Sequence, residues 1–277
     1  MTWPELPAGL PLNLAISAAV VALLMVVTFT VSVVRNRHDT LDIAWGPGFA
    51  LIASTTFLLS SGQDDTTTRV LVTVLTVVWG VRLAVHIGLR SRGEPEDHRY
   101  AEMRRRARGN PHLHVLVRAY VAQAIVLWLV SLPVQVAQYG TGVHPALMAA
   151  GAVLWLVGVV FEAVGDWQLQ RFRADPGNRG RVLDRGLWRY TRHPNYFGDA
   201  CVWWGLFLLA CSSWHGLVTV VSPVLMTFVL ARGTGKPMLE EHLRRRRPAY
   251  ADYVQRTSGF FPLPPRRAAR RFGDRST

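Results

Sequence analysis

Lysine is almost missing from this sequence: Lys236 is the only one, set against thirty arginines. Such a bias points to GC-rich coding more than to chemistry. Cysteine is as scarce. Cys201 and Cys211 lie in one apolar run and read as small apolar helix residues rather than as a disulfide. No Cys/His cluster has metal-ligand spacing, so no metal site is expected. No G-x-G-x-x-G fingerprint follows a strand-like run, which excludes a Rossmann-type dinucleotide site. Alternation of polar and apolar residues is absent too, and a β-barrel is excluded with it. There is no internal repeat and no low-complexity linker. Residues 1–265 therefore read as a single transmembrane domain, and the basic stretch 266–277 as a disordered tail.

What the sequence does have is long apolar runs. Leu12 to Val34 contains no charged residue and no proline, and about 20 apolar residues suffice to cross a bilayer core as a helix. Further runs lie at Leu41–Ser61, Val70–Leu89, Val115–Ala137, Pro145–Gly165, Asp199–Ser212 and Gly216–Ala231. Backbone polar groups in lipid must be satisfied within their own segment, so each run is expected to be helical. Met1 to Pro11 carries no Lys or Arg and the first run is long, so it is expected to remain as a true span rather than a cleaved signal.

The net charge of +13 invites a nucleic-acid reading, but the placement of the charges argues against it. Of the 31 Lys and Arg, 28 fall in 35–37, 90–108, 171–192 and 232–275, while the loops 62–69 and 138–144 hold only Arg69. Basic residues thus occupy every second loop, the positive-inside pattern. It predicts an all-α membrane protein of seven transmembrane helices, with the N-terminus outside and the C-terminus in the cytoplasm. The basic excess is then chiefly a topology and anionic-lipid signal.

Ionisable residues near or inside spans usually face a cavity or the bundle interior. Four clusters qualify. Asp42 stands at the start of the second span, before Gly46-Pro47-Gly48, which should break or kink the helix; a site carboxylate and a helix N-cap fit equally. Arg82, His86 and Arg90 follow at i, i+4 and i+8 on one helix face, suited to an anionic ligand. Snorkelling accounts for Arg90 but poorly for the deeper Arg82, and His86 alone also fits a structural hydrogen-bonding role. Glu162, Asp166, Gln170 and Arg173 lie at the far end of the fifth span, where carboxylates are disfavoured by the helix dipole and call for partners; a salt-bridge network is the alternative. The densest cluster is Arg185 to Asp199, with Tyr190, Arg192, His193, Pro194, Asn195 and Tyr196 at the entry of the sixth span. Pro194 suits a helix first turn, and a helix N-terminus suits phosphate. Beyond it, Lys236 and Glu240 open a helix expected over Pro237–Gln255 and interrupted at Pro248.

The string Leu187-Trp-Arg-Tyr-Thr-Arg-His-Pro-Asn-Tyr-Phe-Gly-Asp199 resembles the signature of the steroid 5-alpha-reductase-like membrane proteins, and most of all their bacterial branch. Asp42–Gly46 matches that branch's Asp-x-x-Trp-Gly, Trp79–Leu83 its Trp-Gly-x-Arg-Leu, Phe161–Gln168 its Phe-Glu-x-x-x-Asp-x-Gln, and Arg256–Pro262 its Arg-Thr-Ser-x-Phe-Phe-Pro. The resemblance implies NADPH held at the cytoplasmic ends of the later helices and hydride transfer to the carbon–carbon double bond of a hydrophobic enone drawn from the bilayer of the inner membrane. By similarity, Arg90, Asp166, Arg173, Tyr190, Asn195 and Asp199 would contact the cofactor, with Lys236 and Glu240. Arg82, Arg192, His193 and Tyr196 join them from the clusters above.

Two positions depart from the family pattern. The tyrosine that follows the histidine of the third span is here Ile87, and the glutamate of the second span is here Asp42. The acid that polarises the substrate carbonyl is therefore expected to be Asp42 or His86. A second class, S-adenosylmethionine-dependent membrane methyltransferases resembling isoprenylcysteine carboxyl methyltransferase, shares Arg192–Gly198, Glu240 or Glu241, and paired Tyr250 and Tyr253. Asn195, Asp42 and Arg82 favour the reductase. A lipid-binding scaffold with a vestigial site is the non-enzymatic alternative.

Overall fold

Small and polar side chains share the contacts between these helices with large apolar ones such as Phe49, Trp79 and Leu127. The computed structural model describes residues 6–140, 142, 144–233, 240 and 249–266; Lys236, most of the helix expected over Pro237–Gln255 and the tail from 267 lie outside them. The chain divides into two units, Met1–Ala152 with Gly205–Pro223, and Val153–Trp204 with Val224–Thr277. No strand forms among the described residues; one isolated bridge joins Thr191 and Ser258.

The first unit holds α1 (Leu10–Val34), α2 (Thr40–Ile43), α3 (Trp45–Leu59), α4 (Thr66–Arg90), α5 (His98–Arg105), α6 (Pro111–Val115), α7 (Val121–Val130) and α8 (Leu132–Ala137). On α1 the buried positions are Leu10, Asn13, Ser17, Val21, Met25, Thr28 and Ser32, a stripe at helical spacing that is half polar. The opposite face exposes Leu12, Leu23, Val26 and Val27. That inverts the pattern of a helix in water, where a patch of such size would be covered. Asn13 and Ser17 each donate to Gln135 Oε1, at 3.2 and 2.6 Å, and Trp128 Nε1 donates to Ser17 at 3.0 Å. Interhelical hydrogen bonds of this kind hold helices together where lipid removes the hydrophobic drive.

Helices α3 and α4 cross backbone to backbone. A Cβ placed on Gly80 would come within 2.5 Å of the Gly46 carbonyl oxygen, so neither position has room for a side chain. The interruption expected at Gly46-Pro47-Gly48 falls one turn earlier: Ala44 separates α2 from α3, and the Gly-Pro-Gly stretch lies inside α3. Arg69, the lone basic residue of its loop, is buried. It donates to the Phe57 carbonyl and to Ser60, both at 2.9 Å, closing the end of α3. The run Val115–Ala137 is not one straight helix. A π-turn spans Leu116–Tyr120, and the chain breaks again at Ser131, two residues before Pro133, which has no N–H to continue the ladder.

Helix α9 (Pro145–Ala174) runs nine residues beyond the boundary at Gly165 expected from its apolar run. Arg171 and Arg173 in its last turn favour the carbonyl end of the helix dipole. In the second unit it packs on α10 (Pro194–Ala210) through glycine: a Cβ on Gly158 would meet the Gly198 carbonyl at 2.5 Å, and one on Gly198 would meet the Gly158 carbonyl at 2.5 Å. Helices α11 (Trp214–Val218) and α12 (Val221–Ala231) follow, and α13 (Tyr250–Arg256) precedes the C-terminal segment.

Six helical stretches among the described residues are long and apolar enough to cross a membrane: Leu10–Val34, Thr40–Leu59, Thr66–Arg90, Pro111–Ala137, Pro145–Ala174 and Trp214–Ala231. The remaining expected span corresponds to α10, of 17 residues. With apolar side chains such as Val74, Val78, Val153, Val160, Val224 and Phe228 exposed along these helices, the chain is a multi-pass membrane protein.

Candidate active site

Asp42 does not cap a helix. It lies within α2, while the cap position belongs to Asp39, whose side chain makes no cap bond and pairs instead with Arg37 at 2.6 Å. Asp42 Oδ2 accepts from Arg99 at 2.7 Å and its Oδ1 from the Tyr100 hydroxyl at 2.6 Å. Asp97 holds Arg99 from the other side, at 3.0 and 3.1 Å, and caps α5 through the Arg99 amide at 2.9 Å. Gln123 of α7 donates to the Tyr100 oxygen at 3.2 Å, and Trp45 Nε1 donates to Gln123 Oε1 at 2.6 Å. Asp42 and Trp45, three residues apart in one sequence motif, thus serve a single network. Burial and the charge of Asp42 push the Tyr100 phenol well above its ordinary pKa, so the phenol stays protonated. Arg99, Tyr100 and Gln123 were not among the residues expected from sequence. The signal was a run of acidic residues and one tyrosine, Glu94 to Tyr100, inside an otherwise basic loop.

Next to this network lies a second one. His38 is fully buried. Its Nδ1 is 3.0 Å from the Tyr120 hydroxyl and its Nε2 2.9 Å from His112 Nδ1, while its backbone N–H donates to Glu96 at 2.6 Å. Glu96 pairs with Arg104 at 2.5 Å. Burial, followed by the neighbouring His112, lowers the His38 pKa. On α4, Arg82 and His86 are half-buried and Arg90 is exposed, in line along one face as their spacing predicts.

The second unit gathers the other candidates around the start of α10. Glu162 and Asp166 of α9 are buried. Asn195 Nδ2 donates to Asp166 Oδ1 at 3.3 Å, and its Oδ1 accepts from the Tyr196 amide at 3.1 Å. Gly186 adopts φ +61, a left-handed conformation favouring glycine, and a side chain there would strike Gln168. Gln168 accepts from the Leu187 amide and Trp188 Nε1 donates to the Gly165 carbonyl, each at 3.0 Å. Those bonds seat the loop 186–193 on α9. Arg173, Arg179, Arg181, Arg185, Arg189 and Tyr190 are exposed around it, and Asp199 is half-buried. Arg192, His193 and Glu240 are buried together. Arg192 Nε and His193 Nε2 both reach Glu240 Oε1, at 2.8 and 3.0 Å, and His193 stacks on Tyr196 at 5.2 Å. Burial alone would raise the Glu240 carboxyl, but hydrogen bonds from His193 and Arg192 outweigh it and bring its pKa down to about 2.

The fold and these polar clusters define a multi-pass helical membrane protein with titratable networks built among its helices. The family described as "Protein of unknown function (DUF1295)" matches residues 28–257, and the chain belongs to it. It is also similar to two curated relatives. One is 3-oxo-5-alpha-steroid 4-dehydrogenase 1 of Mus musculus, 38% identical over 90 residues, which is 32% of this chain and 34% of the relative. The other is 3-oxo-5-alpha-steroid 4-dehydrogenase 1 of Rattus norvegicus, 41% identical over 76 residues, 27% of this chain and 28% of the relative. The chain spans about a third of the length of these relatives. No solved structure matches. The steroid 5-alpha-reductase-like resemblance read from the sequence motifs is thereby upheld.

Proposed function

We propose that the chain is an NADPH-dependent reductase acting on the carbon–carbon double bond of a hydrophobic, steroid-like enone in the inner membrane. The observation that carries this reading is the Asn195–Asp166 pair at the first turn of α10, set among exposed arginines. The donor set suits a phosphorylated dinucleotide. Asn195 and Asp166 offer an amide and a carboxylate to its hydroxyl and amide groups. Arg173 and the arginines of 179–189 suit its phosphates, because a guanidinium binds phosphate bidentately. Tyr190, Tyr196 and Asp199 border the same turn. Within the first unit, Arg82 and Arg90 form a basic face on α4 that also suits an anionic group. When bound, NADPH supplies the hydride.

The remaining requirement is a donor to the oxygen on which negative charge develops. The Tyr100 phenol meets it by turning its hydrogen from Asp42, 2.6 Å away, to the substrate oxygen, and so stands in for the phenol missing at Ile87; Asp42 donates there only in its protonated form, and His86 is the second candidate. The relatives' printed names, which specify a 3-oxo-5-alpha-steroid and a 4-dehydrogenase, agree with this chemistry. We place seven spans in the membrane, with the N-terminus outside and the nucleotide drawn from the cytoplasm.

The test is to purify the protein in mild detergent and identify the retained nucleotide by mass spectrometry. Asn195→Ala and Arg173→Ala should each weaken NADPH binding tens-fold while the protein still inserts, since removing one partner of a hydrogen-bonded charge that a bound ligand covers costs about 2–5 kcal/mol. Wild-type affinity in both variants, with S-adenosylmethionine retained instead, would replace this reading with a methyltransferase.

A further inference from the structure

Arg192, His193 and Glu240 were expected from sequence among the cofactor contacts, yet their geometry commits them to one another and to the C-terminal segment. Every nitrogen of the Arg192 guanidinium is engaged. Nε and NH2 donate to the two oxygens of Glu240 at 2.8 and 3.3 Å, and NH1 donates to the carbonyls of Val254, at 3.1 Å, and Thr257. The side chain is 8% exposed. Around it the loop 188–193 and the segment 250–263 are laced together. The Arg192 amide donates to the Ser258 carbonyl at 2.9 Å and the Leu263 amide to the Tyr190 carbonyl at 3.0 Å. Thr191 Oγ1 donates to the Phe260 carbonyl at 2.8 Å, and the Tyr253 hydroxyl to the Trp188 carbonyl at 2.5 Å. The phosphate-type arginines named above, by contrast, are exposed.

We propose that Arg192, Glu240 and His193 form a positioning clasp, through which the C-terminal segment fixes the Pro194–Asn195 turn, and that Arg192 is not a phosphate ligand. The proposal rests on the nucleotide-binding reading of that turn. Its physical basis is local. Pro194 has no N–H to bond back to the loop before it, so that loop takes its hydrogen bonds from elsewhere. The segment 250–263 supplies them, and a turn held from both sides keeps Asn195 within the narrow tolerance that a binding constellation needs.

The experiment measures NADPH and NADH affinities for Arg192→Ala and for the milder Thr191→Val, each well below the variant's own melting temperature. Thr191→Val removes one strap bond and no charge. The clasp predicts that both nucleotides weaken in parallel, at least tenfold for Arg192→Ala and several-fold for Thr191→Val. Loss confined to NADPH in Arg192→Ala would make Arg192 a ligand of the 2′-phosphate and overturn the proposal; so would unchanged affinity for both nucleotides. If the wild type holds neither nucleotide, the reductase reading fails, and limited proteolysis decides the clasp by itself. Faster cleavage within 250–263 in Thr191→Val than in wild type supports it, and equal rates overturn it.

Discussion

Asp42 shows what a single residue discloses in sequence and what it withholds. Its place at the head of an apolar run marked it as a carboxylate of interest. Its partners, Arg99 and Tyr100 of α5, lie 57 and 58 residues further along, and no local periodicity links one helix to another that distant. The role assigned to the pair is testable one side chain at a time. Losing a donor aimed at a developing oxyanion lowers rates about 100- to 1000-fold. Asp42→Asn and Tyr100→Phe should each lose turnover on that scale while NADPH affinity stays within a few-fold of wild type, as read by steady-state kinetics beside direct titration. Loss of NADPH binding in both would assign them to the cofactor or the fold, and full activity in both would move the acid to His86.

His38 carries a second prediction at the same scale. The groups facing it are Tyr120 from the π-turn, His112 from α6, Glu96 and Arg104 from the α5 region, and its neighbour Asp39. Burial lowers the pKa of its ring in the folded protein, whereas a histidine in the unfolded chain titrates near 6.5. A base with a lowered folded pKa gives stability that is complete above the unfolded value and is lost as pH falls below it. Stability against thermal melting in detergent should therefore fall as pH drops below about 6.5, by at most ~1.4 kcal/mol per pH unit, and His38→Gln should flatten that slope. An equal slope in the variant would assign the acid sensitivity to other groups.

Among the helices, existence was easy to read and internal breaks were not. Apolar length announces a span, but it is blind to the π-turn at Leu116–Tyr120, which leaves hydropathy unchanged, and to the continuation of α9 past Gly165, where polar residues end the apolar run without ending the helix. The glycines were the overlooked signal. Gly151, Gly158 and Gly165 recur every seven residues along α9, and Gly198 and Gly205 repeat the interval on α10, the spacing of a helix–helix seam. Gly158 and Gly198 show the consequence, since a methyl on either would run into the backbone of the other helix. Backbone cannot yield as a flexible side chain does. Overpacking of this kind typically costs about 1–3 kcal/mol. Gly158→Ala should accordingly lower the melting temperature and weaken nucleotide binding by displacing the Asn195 turn, whereas Gly88→Ala, with open space around its position, should leave both unchanged. Equal effects of the two substitutions would remove the seam from the account.

For the whole molecule, the charges decide orientation and α10 decides parity. A 17-residue helix is about 26 Å long at 1.5 Å per residue, somewhat less than the roughly 30 Å hydrocarbon core. A shortfall of that size costs fractions of a kcal/mol per ångström through local thinning of the bilayer. Returning the chain to the other side without a span would instead strand α10, whose Val202, Leu206 and Leu209 are fully buried, outside the environment its composition suits. Seven spans put the termini on opposite sides, and six would put them together. In the seven-span arrangement proposed above, the direction is the one that keeps basic loops in the cytoplasm, since 28 of the 31 basic residues fall in alternate segments. A reporter fused to the C-terminus should be active only when cytoplasmic fluorescence is scored, and a phosphatase fused ahead of Met1 only when the outer side is scored. Both reporters on one face would reduce the count to six. An exchange of faces would overturn the orientation and, with it, the access of a cytoplasmic nucleotide to the Asn195 turn.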